Sequence, residues 1–157
     1  MQSGEADVRE RIVQVLESQQ LGVLATERNG QPYTSLMAFA HTPDLTRIVV
    51  ATGRATRKHT NLLEQSRVSL LIDTRSNTEK DFHAAAAVTV IGEVVKLSEE
   101  EQQTYQSLYL RHHPYLERFV EAPSTTMLLI KVRHYLIVNR FQNVMELHLS
   151  DETDIFA

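Results

Sequence analysis

Apolar residues recur at helical spacing once near the start of the chain and then mostly at strand spacing. Val8, Ile12, Val15 and Leu16 lie three and four residues apart with charges between, which predicts an amphipathic helix over Glu5–Gln19 with Ser3 as a candidate cap. Leu21–Thr26 is a short apolar run, and the Asn29–Gly30 pair that follows favours a tight hairpin turn, so Tyr33–Ala40 should return antiparallel to it. His41–Leu45, with Pro43 and Asp44, reads as a turn into a third strand over Arg47–Thr52.

Gly53 frees the backbone, and Thr56 can cap a helix over Arg57–Gln65 with Leu62 and Leu63 facing inward. Arg67–Asp73 reads as a buried strand and the next stretch, RSNTEKDFH, as a polar loop. Ala84–Leu97 opens on alanines that would suit a helix, but Val88, Val90, Ile91, Val94 and Val95 favour a strand with Gly92 as a bulge or close-approach point. Ser98 and Glu101 form a capping box for a helix whose Tyr105, Leu108, Tyr109 and His112 share a face, and Pro114 ends or kinks it. Leu116, Phe119 and Val120 suggest a further helical turn. Thr125–Asn139 is long and β-prone and should bend or split near Arg133, with a last strand over Asn143–Leu149. Six or seven strands joined mainly by short turns predict a mainly β protein with peripheral helices, its strands in a closed or partly closed antiparallel barrel.

Composition narrows the chemistry. The 157 residues suit one domain, 1–157, and carry a mild formal charge of -4, which implies no nucleic-acid partner. With no cysteine there is no disulfide, thiolate nucleophile or cysteine-ligated metal. No window reaches the apolar length of a membrane span and the N-terminus lacks an apolar signal core, so the expected compartment is the cytoplasm. Seven histidines are present, none in a zinc signature, and no serine sits in a nucleophile elbow. An enzyme built from these residues would rely on a cofactor for its reaction.

The chemical interest gathers in Arg47–Asp73, RIVVATGRATRKHTNLLEQSRVSLLID. A strand, a glycine turn and a helix opening on Arg57 and Lys58 bring two cations and free backbone N–H groups to the lip of a sheet. That suits a phosphate. Ordinary solvated cations at the start of a surface helix would give the same string. Tyr105, Tyr109, Tyr115 and Phe119 recur near helical spacing and read as core or subunit packing.

This stretch, preceded by LGVLATERNGQPYTSLMAFA and followed by VTVIGEVVKL, resembles the FMN-binding split-barrel proteins related to pyridoxamine 5'-phosphate oxidase. The resemblance covers about Leu21–Leu97 and implies a split antiparallel barrel and a homodimer with FMN in clefts between subunits. It implies that Thr56, Arg57 and Lys58 hold the FMN phosphate, that Ala51 and Thr52 border the flavin, and that Ser35, Leu36 and Met37 lie alongside it, Met37 chiefly through its backbone. The implied activity is an oxidoreductase passing a hydride or electrons between a nicotinamide donor and a small molecule. Alternatives are a barrel that binds haem, with His134 or His148 as axial ligand, or a deazaflavin, and a non-catalytic flavin-binding protein. The chain departs from the true oxidases in having Ser35 in place of an arginine, Ala40 in place of the substrate-gripping lysine, and no C-terminal tryptophan segment.

Overall fold

The computed structural model describes residues 2–140 and 143–157, with side chains from residue 4 onward. Its first long-range feature is the hairpin of β1 (Leu21–Arg28) and β2 (Gln31–His41). Asn29 and Gly30 both take positive φ, 54° and 81°, so the turn twists with the strands it joins. Then come β3 (Arg47–Gly53), α2 (Arg57–Glu64), β4 (Arg67–Asp73), β5 (Ala86–Val95), β6 (Thr125–Asn139) and β7 (Asn143–His148). The remaining helices are α1 (Gln2–Ser18), the one-turn α3 (Asp81–Ala84), α4 (Glu99–His112), a 3-10 turn over Pro114–Leu116 and α5 (Glu117–Glu121).

The strand order is β3-β2-β1-β4-β5-β6-β7, and a further β3–β6 pairing closes the first six into an antiparallel barrel. The split-barrel architecture expected from the sequence is therefore present. β6 is long because three strands share it. Thr125–Lys131 pairs with β3, Leu129–Asn139 with β5, and His134–Asn139 with β7.

Alternation along the strands divides the apolar residues between two cores. Leu24, Met37, Phe39, Val50, Leu70 and Val90 fill the barrel together with Ile12 and Leu16 of α1. On the outer face of β2, β3 and β6, Ala40, Val49, Ala51, Met127 and Leu129 pack beneath Tyr105 and Tyr109 of α4 and Val120 of α5.

The bend expected near Arg133 is a β-bulge. Ile91 lies opposite His134 while Gly92 lies opposite Val132, leaving Arg133 as the extra residue. The capping box on α4 is formed in both directions between Ser98 and Glu101.

Three local readings differ. α1 begins at Gln2, which places Ser3 inside the helix instead of at its cap. The polar loop after β4 contains α3, whose Asp81 carboxylate accepts from the backbone N–H groups of Ser76 and Asn77. Leu63 is 67% exposed, and the inward neighbour of Leu62 is Asn61, because residues two apart on a helix point in nearly opposite directions. Tyr109 meets the ring of His113, with centroids 5.0 Å apart, whereas half-buried His112 lies 6.3 Å from Phe39.

One buried polar contact ties the β2–β3 turn to the barrel. Leu45 is 1% exposed and holds φ at +66°, and its carbonyl accepts from the Tyr135 hydroxyl at 2.6 Å. Tyr135→Phe keeps the ring and leaves that carbonyl without its donor. Urea unfolding should show a loss of about 1–2 kcal/mol, and an unchanged midpoint would mean the bond contributes nothing net.

Candidate functional site

β2 and β3 form a ladder over only three residue pairs, Phe39–Val50, Ala40–Val49 and His41–Ile48. Beyond it β2 stays on β1, and β3 stays on β6 through Ala51, Thr52 and Gly53. The facing edges therefore part. Ser35, Leu36 and Met37 lie on one lip of the split and Ala51 and Thr52 on the other, so the segments singled out from the sequence are where sheet pairing stops.

Their side chains do not all face the same way. Ser35 pairs with inward Leu24, so Ser35 and Met37 point into the barrel; Met37 is 5% exposed and the Ser35 hydroxyl is buried with no partner among the described residues. Leu36 points outward and is 65% exposed. Ala51 is buried under α4, while Thr52 is buried on the barrel side. Backbone groups of all five residues border the split, but only Leu36 offers it a free side chain.

α2 begins at the end of β3, and a hydroxyl pair fixes it there. Thr52 and Thr56 hydroxyls lie 3.1 Å apart, Thr56 Oγ1 donates to the Gly53 carbonyl at 3.0 Å, and it accepts from the His59 N–H at 3.3 Å as the N-cap. At the other end of the helix's inner face, Asn61 is 7% exposed and its Nδ2 donates to Thr26 Oγ1 at 3.1 Å. This anchor was not among the sequence candidates. An asparagine among apolar neighbours inside a short helix was the signal for it, since such a side chain needs a tertiary partner.

Arg57 and Lys58 thus sit on a fixed helix start with no acidic residue in its first turn, and neither makes a hydrogen bond or ion pair among the described residues. The N–H groups of Arg57 and Lys58 have no acceptor within the helix, and the dipole adds positive potential at the same end. Arg57, Thr56 and Asn61 line a cavity of about 490 Å³, closed on the other side by Arg28, Gln31 and Tyr33 of the hairpin. The arrangement can receive an anion by charge, N–H donation and guanidinium geometry together.

Ala40, which the resemblance sets where the true oxidases have a lysine, has no open space around it. Ala40 is 2% exposed in the core with Tyr105 and Tyr109, and Tyr105 Oη accepts from Arg47 at 3.1 Å. His113 caps α4 and is 5% exposed, with Nε2 2.6 Å from the Phe39 carbonyl.

The other histidine feature lies on β6 and β7. His134 is fully buried, its Nδ1 is 2.8 Å from His148 Nδ1, and His148 Nε2 is 3.0 Å from a Glu146 carboxylate oxygen. Neither histidine lines any of the main cavities. Among the described residues no three histidine or carboxylate side chains converge as a metal site.

Burial is the main cause holding the His113 and His134 pKa values below the ordinary histidine value; His112 adds to it for His113, and His148 and Arg133 for His134. Between the folded and unfolded values the unfolded chain binds more protons, so stability rises with pH there and falls as the pH drops below about 6.5. Urea midpoints should therefore fall between neutral and mildly acidic pH. The His134→Leu variant should lose part of that dependence, and a wild-type-like acid slope would show that His134 has no role in it.

The family described as pyridoxamine 5'-phosphate oxidase matches residues 8–139 of the chain. Among curated proteins there is no significant match. A haem-binding protein from Mycobacterium smegmatis has a similar structure, with a TM-score of 0.79 and 18% identity; the match covers 89% of this chain and 57% of that one, so this chain spans little more than half its length. General Stress Protein 26 from Bacillus anthracis str. Sterne gives a TM-score of 0.70 at 22% identity, covering 90% of this chain and 98% of that one. A FAD-binding protein from Mesorhizobium loti gives 0.65 at 15%, covering 82% and 91%. At these identities the three structures speak for the fold, and the match over 8–139 carries the relationship: the chain belongs to the pyridoxamine 5'-phosphate oxidase family.

Proposed function

We propose that the protein is an FMN-binding oxidoreductase acting on a small molecule other than pyridoxine 5'-phosphate. The observation that carries this reading is the coincidence of the β2–β3 split with a helix start whose Arg57 and Lys58 have no partner among the described residues. Thr56 orients the first turn of α2, while Arg57, Lys58 and their N–H groups hold the phosphate. Leu36 covers part of the ring, and the backbones of Ser35, Met37, Ala51 and Thr52 offer donors and acceptors to its polar edge. When bound, FMN would supply a ring able to take up and give back two electrons as a hydride, and the donor in this proposal is a reduced nicotinamide. With alanine at position 40, buried beneath Tyr105 and Tyr109, that position offers no cation to a phosphorylated pyridoxine.

A homodimer belongs to the same proposal. Leu36, Val23 and Leu71 stand side by side in one cross-strand row, with Leu36 65% and Leu71 38% exposed, so an apolar surface continues from the lip of the split. A second copy lying there would cover the row and enclose the ring.

Haem is the second reading, favoured by the likeness to the haem-binding protein from Mycobacterium smegmatis. His134 and His148 could ligate it only after their mutual contact opened. The chromophore released on denaturation decides the matter. A flavin spectrum with the mass of FMN, bleached anaerobically by NADH or NADPH, is expected together with a dimer in sedimentation. A Soret band would favour haem. A colourless protein that takes up no added FMN would end the flavin reading.

A further inference from the structure

The flank of α2 opposite the candidate phosphate seat faces a second cavity, of about 640 Å³. Its floor is apolar, formed by Leu62, Val94, Met127 and Leu128. Its rim carries Arg54, His59 and Lys96, with Glu99 at the mouth.

Backbone contacts brace the walls without using the rim charges. The Arg54 N–H donates to the Ser124 carbonyl at 2.9 Å and ties the turn after β3 to the start of β6; the Val94 N–H donates to the Ser66 carbonyl at 2.8 Å and ties β5 to the link after α2. From α4, Gln102 reaches Met127 twice at 3.3 Å, its Nε2 donating to the carbonyl and its Oε1 accepting from the N–H. The amide thus stands in for a neighbouring strand at an open edge. Capping of α4 by Ser98 and Glu101 fixes the helix that carries Gln102. The hollow is held by backbone and a neutral amide, so a ligand need not form it.

The charges are left over. Among the described residues the side chains of Arg54, His59 and Lys96 make no hydrogen bond, and none lies within salt-bridge distance of Glu99. An arginine, a lysine and a histidine therefore line the cavity with one carboxylate, on a chain whose formal charge is -4. An apolar floor below a positive rim is complementary to a molecule with an apolar body and one anionic head. An aliphatic carboxylate of roughly ten non-hydrogen atoms is of a size such a cavity can enclose.

We propose that the cavity between α2, the end of β5 and the start of β6 binds an amphipathic organic monoanion, with its carboxylate at Arg54 and Lys96 and its apolar body over Leu62, Val94, Met127 and Leu128. The site shares α2 with the phosphate seat but none of its side chains, so it stands or falls independently of FMN.

Amide chemical shifts of the isotope-labelled protein, titrated with octanoate and separately with octanol, test the assignment. Octanoate should shift Leu62, Val94, Met127 and Leu128 saturably, and octanol should bind at least about tenfold more weakly. Arg54 and Lys96 are both exposed, so an Arg54→Glu, Lys96→Glu double variant should keep a dispersed spectrum; it should bind octanoate at least about tenfold more weakly while binding octanol as the wild type does. Equal binding of the two probes, shifts confined to the Leu36–Leu71 row, no saturable shift, or an unaltered octanoate affinity in the double variant would each overturn the proposal.

Discussion

Replacing Arg57 and Lys58 together with alanine should weaken FMN binding to the apoprotein by about 3–5 kcal/mol, since each removes a charge-assisted contact worth about 1.5–3 kcal/mol. That is a loss of about two to four orders of magnitude in affinity, within the range of calorimetry. The contacts in the protein explain why the effect should fall on binding and not on folding. Neither side chain has a partner among the described residues, and two cations in a first helical turn oppose the dipole, so their removal should leave the unfolding midpoint unchanged or slightly raised. Riboflavin separates a phosphate clamp from general distortion of the cleft. It has the ring and lacks the phosphate, so its affinity should be the same in the wild type and the double variant. Unchanged FMN affinity would remove the clamp, and a parallel loss for riboflavin would mean that α2 itself had shifted.

The anchoring of α2 explains why the side chains at its start matter more than its length. The Thr52–Thr56 hydroxyl pair fixes one end and the Asn61–Thr26 bond fixes the inner face, so Arg57 is presented on a helix held at two points. Thr56 is accordingly occupied as a cap and a brace. In the proposed phosphate clamp its contribution would be to place the N–H groups of its successors.

Elements set by a few adjacent residues could be read from the sequence. Asn29–Gly30 specifies its turn, and Thr56 and Ser98 cap their helices, because each depends on backbone preferences within a short segment. What depends on pairing between distant segments could not. β3 closes the barrel on β6, about 78 residues later, and no local pattern announces which of several apolar strands will be that partner. The three-pair β2–β3 ladder is equally hidden, so the candidate residues could be placed near a cofactor only through a family resemblance and not through the split itself. Leu63 and Asn61 show a third limit. In a helix of eight residues with few apolar positions, hydrophobicity points Leu62 and Leu63 inward, whereas the structure buries Asn61 beside Leu62, a polar side chain that has a hydroxyl to meet.

Gly92→Ala should destabilise the fold by about 1–3 kcal/mol, measured by urea unfolding, chiefly through overpacking. A Cβ at this position would collide with the Lys131 carbonyl oxygen and lie 3.0 Å from Ile130 Cγ2. Relief would require the backbone to move, because the nearest atom belongs to the main chain. Lys131 cannot retreat freely, since it pairs with Arg47 of β3 while also lying in register with Glu93 of β5. The added methyl group therefore forces apart the segment of β6 through which the barrel closes. Gly53→Ala provides the contrast, as its Cβ would meet only Thr56 Cγ2 at 3.5 Å, an ordinary contact, and should change stability by no more than about 0.5 kcal/mol. If the two variants unfold at the same urea concentration, the close approach of β5 and β6 at Gly92 is not what requires glycine. If Gly92→Ala alone is destabilised, the bulge is a steric consequence of packing two strands against the shared closing strand, with Arg133 as the residue left over.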